Sequence, residues 1–118
     1  MRIAVVGSRE FKNWEQLSRI VRGFIESDDD EFVSGGAVGV DSMAQRFCKE
    51  NGFDISIKYP KYQLYGKSAT FIRNERIVVN SDLVLALYRK DHFQEGGTAN
   101  SAHWARKLGK PLHEYEEE

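Results

Sequence analysis

The chain alternates short β-rich apolar runs with longer stretches in which apolar residues recur at helical spacing. The runs are "IAVV" (3–6), "EFVS" (31–34), "DISIKY" (54–59) and "LVLAL" (83–87), each of strand length. Between the first two, Trp14, Leu17, Ile20, Val21, Phe24 and Ile25 share one face of a helix predicted over 13–27. Met43, Ala44, Phe47 and Cys48 mark a second helix, with Asp41 expected as its cap and Gly52 as its stop. "PKYQLYGK" (60–67) reads as a loop, and Ser68 is expected to cap a third helix running to about Asn80. A last helix turns Ala99, Ala102, Ala105 and Leu108 inward and stops at Gly109. "PLHEY" (111–115) reads as a short strand at a sheet edge, because Pro111 has no N–H for a central ladder.

"LVLAL" has no polar face and is expected to be buried on both sides, as in a parallel sheet. Strands alternating with helices predict a three-layer α/β/α sandwich with a mainly parallel sheet of about five strands. Right-handed crossovers place helices on both faces.

Composition narrows the class. With 118 residues, 41% hydrophobic and 30% charged, the chain suits one layered core, taken as a single domain over 1–118. No apolar run approaches ~20 residues, so no membrane span is expected. The few apolar residues before Gly7 are too short a run for a signal peptide. One cysteine, Cys48, leaves no internal disulfide and fits a reducing cytoplasm, where it reads as a buried structural thiol. A net charge of -1 argues against general nucleic-acid binding. The charge is uneven, with acids at 26–31 and in the tail "EYEEE", which is expected to fray, and with Lys58, Lys61, Lys67, Arg73 and Arg76 in the middle.

Three glycine turns fall after strands: "GSRE" (7–10), "SGGAVGVDS" (34–42) and "EGGT" (95–98). In a parallel α/β sheet they meet at the carboxyl edge, where ligands bind. Glycine lets backbone approach a ligand, and a helix start aims free N–H groups at an anion. Together with Arg9 and Arg73, the turns point to a phosphate-bearing ligand. Familiar nucleotide motifs are missing: the second turn lacks a P-loop lysine and has Ser34 where a dinucleotide fingerprint needs glycine. His92, His103 and His113 have no metal-ligand spacing, so neither a metal nor a cofactor is expected. Trp14 and Trp104 read as packing residues, and His103 as an ordinary helix residue.

"VVGSREF", "VSGGAVGVDSMAQRF", "YGKSATFIRNERI", "SDLVLAL" and "GGTANSAHWARKLGKPL" occur in that order and span nearly the whole chain. Together they resemble the SLOG superfamily, most closely its small YspA-like (cpYpsA-related) branch. The resemblance implies a Rossmann-like fold that binds or processes nucleotides or nucleotide-derived signals. It also brings a phage setting into view, since small chains of this branch occur in phage genomes. The LOG-type phosphoribohydrolases are more distant relatives, with the signature G-G-x-G-T-x-x-E and an arginine on the preceding helix. Gly97-Thr98 and Arg73 match it, but Ser101 stands at the glutamate position. Glycosidic cleavage needs a carboxylate beside the oxocarbenium-like sugar, which a serine hydroxyl cannot replace. Glu95, Glu75, Asp41 and Glu10 are the acids left to supply one. "SGGAVGVDSMA" and "RNERIVVNSDLVL" also resemble segments of the Rossmann domain of DprA-type DNA-processing proteins. "KYPKYQLYGK", interleaving Tyr and Lys, fits single-strand binding.

The expected site therefore comprises Gly7, Ser8 and Arg9; Gly35, Gly36, Gly39 and Asp41; Arg73 and Asn74; and Gly96, Gly97 and Thr98. In it, backbone N–H groups hold phosphate or ribose oxygens, Arg73 and Arg9 pair with phosphate, and Asp41 accepts ribose hydroxyls. The leading reading is a nucleotide-binding sensor or sequestering protein. A nucleotide N-glycosidase and a DNA accessory protein are the alternatives. By resemblance to LOG-type proteins, a homodimer is expected.

Overall fold

Alternation within the strands decides which residues face which helix layer. The computed structural model describes residues 1–118. Strands β1 (Arg2–Gly7), β2 (Glu31–Gly35), β3 (Ile55–Lys58), β4 (Leu83–Tyr88) and β5 (Leu112–Glu116) form one sheet in the order β3-β2-β1-β4-β5. Every neighbouring pair is parallel. Ile3, Val5, Phe32, Leu83, Leu85 and Leu87 point to one face. There they meet Leu17 and Val21 of α1 (Trp14–Phe24) and Ala44 and Phe47 of α2 (Val40–Asn51). Ala4, Val6, Val33, Val84 and Ala86 point to the other. They pack on Ile77 and Val78 of α4 (Ala69–Val79) and Ala105 of α5 (Gly96–Lys107). All six residues of β4 are buried, as an unbroken apolar run between two helix layers must be. No helix is long and apolar enough to cross a membrane.

The helix boundaries show where sequence signals are overridden. Asp41 is not the cap of α2; Gly39 is, at φ +76°, and Asp41 lies inside the first turn with its carboxyl turned back toward β2. Gly52 ends α2 in the left-handed conformation, as expected. The stretch read as a loop contains a one-turn helix, α3 (Tyr62–Tyr65), and a 3-10 turn (Gly66–Ser68) that runs into α4. Ser68 stands at the cap position of α4 but makes no side-chain cap bond. Its backbone is already helical (φ -84°, ψ -5°), whereas capping uses an extended one. In α5, Ala102 and Ala105 are buried, but Leu108 follows the last turn and is exposed. Cys48 is buried against α1 and the sheet, and burial pushes its thiol up to about 12. It is a packing residue.

The acidic tail docks instead of fraying. Glu117 accepts hydrogen bonds from the backbone N–H groups of Lys12 (2.8 Å) and Asn13 (3.1 Å) at the start of α1, where a negative charge suits the helix dipole. Gln16, buried in α1, donates to Glu116 O (2.9 Å) and accepts from Glu118 N (3.0 Å). Gln16→Ala leaves both partners without their mate. A stability loss of about 1–2 kcal/mol is expected in urea denaturation. An unchanged midpoint would show that the Gln16 contacts to the tail contribute nothing to the fold.

Candidate functional site

Strand order places the site. The chain builds β1, β2 and β3 outward in one direction, then crosses back to add β4 and β5 on the other side of β1. At that reversal the connections leaving β1 and β4 diverge, and a cleft of about 630 Å³ opens above their carboxyl ends. Val6, Gly7, Ser8, Arg9 and Glu10 form one wall. Thr70, Phe71, Arg73 and Asn74, on one face of α4, form another. Gly96, Gly97, Thr98 and Ser101 of α5 close the far side.

Arg73, Asn74 and the start of α5 meet at this cleft. Arg73 donates from Nε to Asn74 Oδ1 (2.9 Å), and both Nη atoms are left over. Asn74 donates in turn to Asn100 Oδ1 (3.1 Å) and toward Gly97 O (3.5 Å), which ties Arg73 to the start of α5. That helix begins in the double glycine itself, with no side-chain cap, so the N–H groups of Gly96, Gly97 and Thr98, residues that line the cleft, have no intrahelical partner. Ser101 lies one turn behind, buried on the cleft wall.

The second glycine turn plays a different part. Gly35, Gly36 and Gly39 do not line the cleft. Gly35 is a strand residue in register with Lys58. A β-carbon on it would stand 2.6 Å from Arg73 Nη1 and 2.7 Å from Asp41 Oδ2. Its missing side chain is therefore the space in which these two groups approach. Gly36 is covered by the Tyr59 ring, and a side chain on Gly39 would collide with the carbonyls of Ser8 and Arg9. These glycines hold the first turn and the Arg73–Asp41 pair from behind.

Asp41 is the buried acid of the cleft. Its Oδ2 accepts from Ala37 N (3.1 Å), and its Oδ1 lies 3.0 Å from Ser34 Oγ. Burial holds its carboxyl above the usual aspartate range, against the pull of the Ala37 contact and of Arg73 and Arg9. Glu10 goes the other way: a hydrogen bond from Ser8 Oγ (3.0 Å) holds it below the usual range. Of the acids considered from sequence, Asp41, Glu10 and Glu95 reach the cleft, and Glu75 does not.

Sequence reasoning missed the loop after β4. Tyr88, Arg89 and His92 all line the cleft. The Tyr88 hydroxyl donates to Glu114 (2.6 Å), and burial followed by that contact pushes it upward. His92 Nδ1 lies 2.7 Å from Glu95 Oε2, so it carries a hydrogen toward the carboxylate. The loop holds the chain's two non-glycine residues at positive φ, Asp91 (66°) and Gln94 (61°), on either side of His92 and Phe93. The rule that ligands gather beyond strand carboxyl ends points to these residues, since Tyr88 ends β4 and Arg89 and His92 follow it. No group of three or more His, Cys, Asp or Glu side chains is placed to hold a metal ion.

No model of a known protein family matches the chain, and no curated protein matches it. Among solved structures, it superposes on DNA processing protein A from Helicobacter pylori, studied for its single-stranded DNA binding mode. The TM-score is 0.69 at 22% identity, over 97% of this chain and 64% of that one. The likeness establishes the Rossmann-like α/β fold. The chain spans less than two thirds of that structure's length.

Gly39→Ala combines a positive φ with a clash against two backbone carbonyls. It is expected to destabilise the fold by about 1–3 kcal/mol, read as a lower urea midpoint. A midpoint equal to wild type would remove Gly39 as the support of the first turn.

Proposed function

We propose that this cleft binds a nucleoside phosphate, as a sensor or a sequestering protein. One observation carries the reading: Arg73, whose Nη atoms bond no side chain of the protein, lines the same cleft as the three residues that open α5, whose N–H groups have no side-chain cap. Arg9 faces it from the first turn and Arg89 from the loop after β4. A planar guanidinium and a helix start both suit phosphate oxygens. Glu10 and Glu95 in the same cleft suit a ligand that also brings hydroxyl donors, as a ribose does. The glycine turns that resemble the SLOG superfamily support the same ligand class.

A second reading is a single-stranded nucleic acid whose phosphate enters this cleft, and the Helicobacter pylori structure favours it. Tyr59, Tyr62, Tyr65 and Phe71 are each about half exposed, and Phe71 reaches the cleft wall. With Lys58, Lys61 and Lys67 they would offer stacking faces and charge to a strand.

Calorimetric titration with adenosine monophosphate and with an oligo-dT strand separates the two. Adenosine monophosphate is expected to bind, and Arg73→Ala to weaken it by about tenfold or more, the effect of losing hydrogen bonds to a charged group. Strand binding with a steep salt slope and no mononucleotide binding would transfer the function to the second reading. Full affinity in Arg73→Ala would remove Arg73 from the site.

A further inference from the structure

Counting hydrogens at the floor of the cleft leads to a property of Asp41 that the anion-binding reading does not contain. Ser34 Oγ has one hydrogen and two neighbours, Val5 O at 2.6 Å and Asp41 Oδ1 at 3.0 Å. Val5 O is a carbonyl and can only accept. The shorter contact takes the hydrogen, and Ser34 then turns a lone pair toward Asp41 Oδ1. Two lone pairs facing each other in a buried site would repel. A hydrogen on Oδ1, donated to Ser34 Oγ, turns that contact into a bond. Oδ2 is then the acceptor for Ala37 N, and each polar atom of the group has a partner of the correct kind.

The position of Arg73 agrees. Its Nη1 and Asp41 Oδ2 both approach the α-carbon of Gly35, yet the two make no ion pair, and the Arg73 Nε is turned to Asn74 Oδ1 instead. Asp41 is only 6% exposed. The other charged groups facing this space are Arg9 and Glu10 from the turn after β1, with Arg89, His92 and Glu95 from the loop after β4.

We propose that Asp41 stands in the cleft as a neutral carboxylic acid, and that anion binding by Arg73 and Arg9 is coupled to its proton. An ionised Asp41 would neutralise Arg73 and repel a phosphate; the neutral acid leaves both guanidinium charges to the ligand. Losing the proton therefore weakens the ligand. This rests on the anion-binding reading for its second half only.

The upward displacement of the Asp41 carboxyl by burial points the same way. For an acid raised on folding, the associated stability is present at low pH and is lost as pH rises through its folded value. Asp41→Asn is the isostere of the neutral acid. Its amide donates to Ser34 Oγ, its oxygen accepts from Ala37 N, and it should melt no lower than wild type on the alkaline side.

Two measurements test the proposal. Carbon-13 NMR follows the Asp41 carboxyl carbon. The group is expected to stay protonated to a pH well above the ordinary aspartate range, and titration within or below that range overturns the proposal. Sulfate, whose charge is constant across neutral pH, then serves as the anion. Wild-type affinity is expected to fall with rising pH, approaching about tenfold per pH unit for one coupled proton, while Asp41→Asn stays flat at the low-pH affinity. A slope that survives in Asp41→Asn comes from another group and overturns the coupling. So does pH-independent binding in wild type, which leaves the anion site itself intact. Sulfate binding at no pH overturns the coupling and the anion site together, and the carbon titration still decides where the proton sits.

Discussion

The pairing of β1 with β4 is the constraint on which the rest of the molecule depends. Five residues of β1, Ile3 to Gly7, run in register with Leu83 to Leu87. This pairing joins two halves that are otherwise built outward in opposite directions. Because β4 is buried on both faces, no connection can cross it, and the chain must leave both strands at their carboxyl ends. The cleft is the space those departures leave. Its walls are turns, a loop and helix starts set on the core beneath them.

The electrostatic character of the cleft follows from where each group is anchored. Arg73 is braced by Asn74, which is itself bonded to α5, so the guanidinium is oriented by two helices at once. Asp41 is held by β2 and the turn that follows it. Gly35 makes their proximity feasible by contributing no side chain. A cationic group and an acid are brought close without being joined, an arrangement that a purely structural ion pair would not need.

Much of the fold was legible in the sequence because hydrophobic periodicity reports burial directly. The apolar run at 83–87 could only be a doubly buried strand, and Pro111 could only sit at the margin of a sheet. The misreadings share a cause, which is that local signals were overruled by distant partners. Asp41 has the chemistry of a cap, but Ser34 and Ala37 claim its carboxyl. The tail glutamates looked solvated, yet α1 supplies backbone donors for Glu117 across more than a hundred residues of sequence. Arg73, Asn74 and the double glycine at 96–97, which line one cleft, could be picked out together because they lie in motifs. Arg89 and His92 were not, since their role comes from position after β4 and not from any pattern of their own.

The edges of the sheet bear on how copies of the chain can meet. At one edge β3 is only four residues long, and Pro60 follows one residue after its end. At the other, β5 carries an exposed Glu116, while Glu114 is held by Arg106 and Tyr88. A strand added from a second copy would find little ladder at the first edge and an exposed carboxylate at the second. Continuing the sheet from one molecule into the next is thus disfavoured at both ends. Growth by stacking strand on strand, the route by which exposed sheets turn into fibres, is opposed by the same short strand and the same carboxylate.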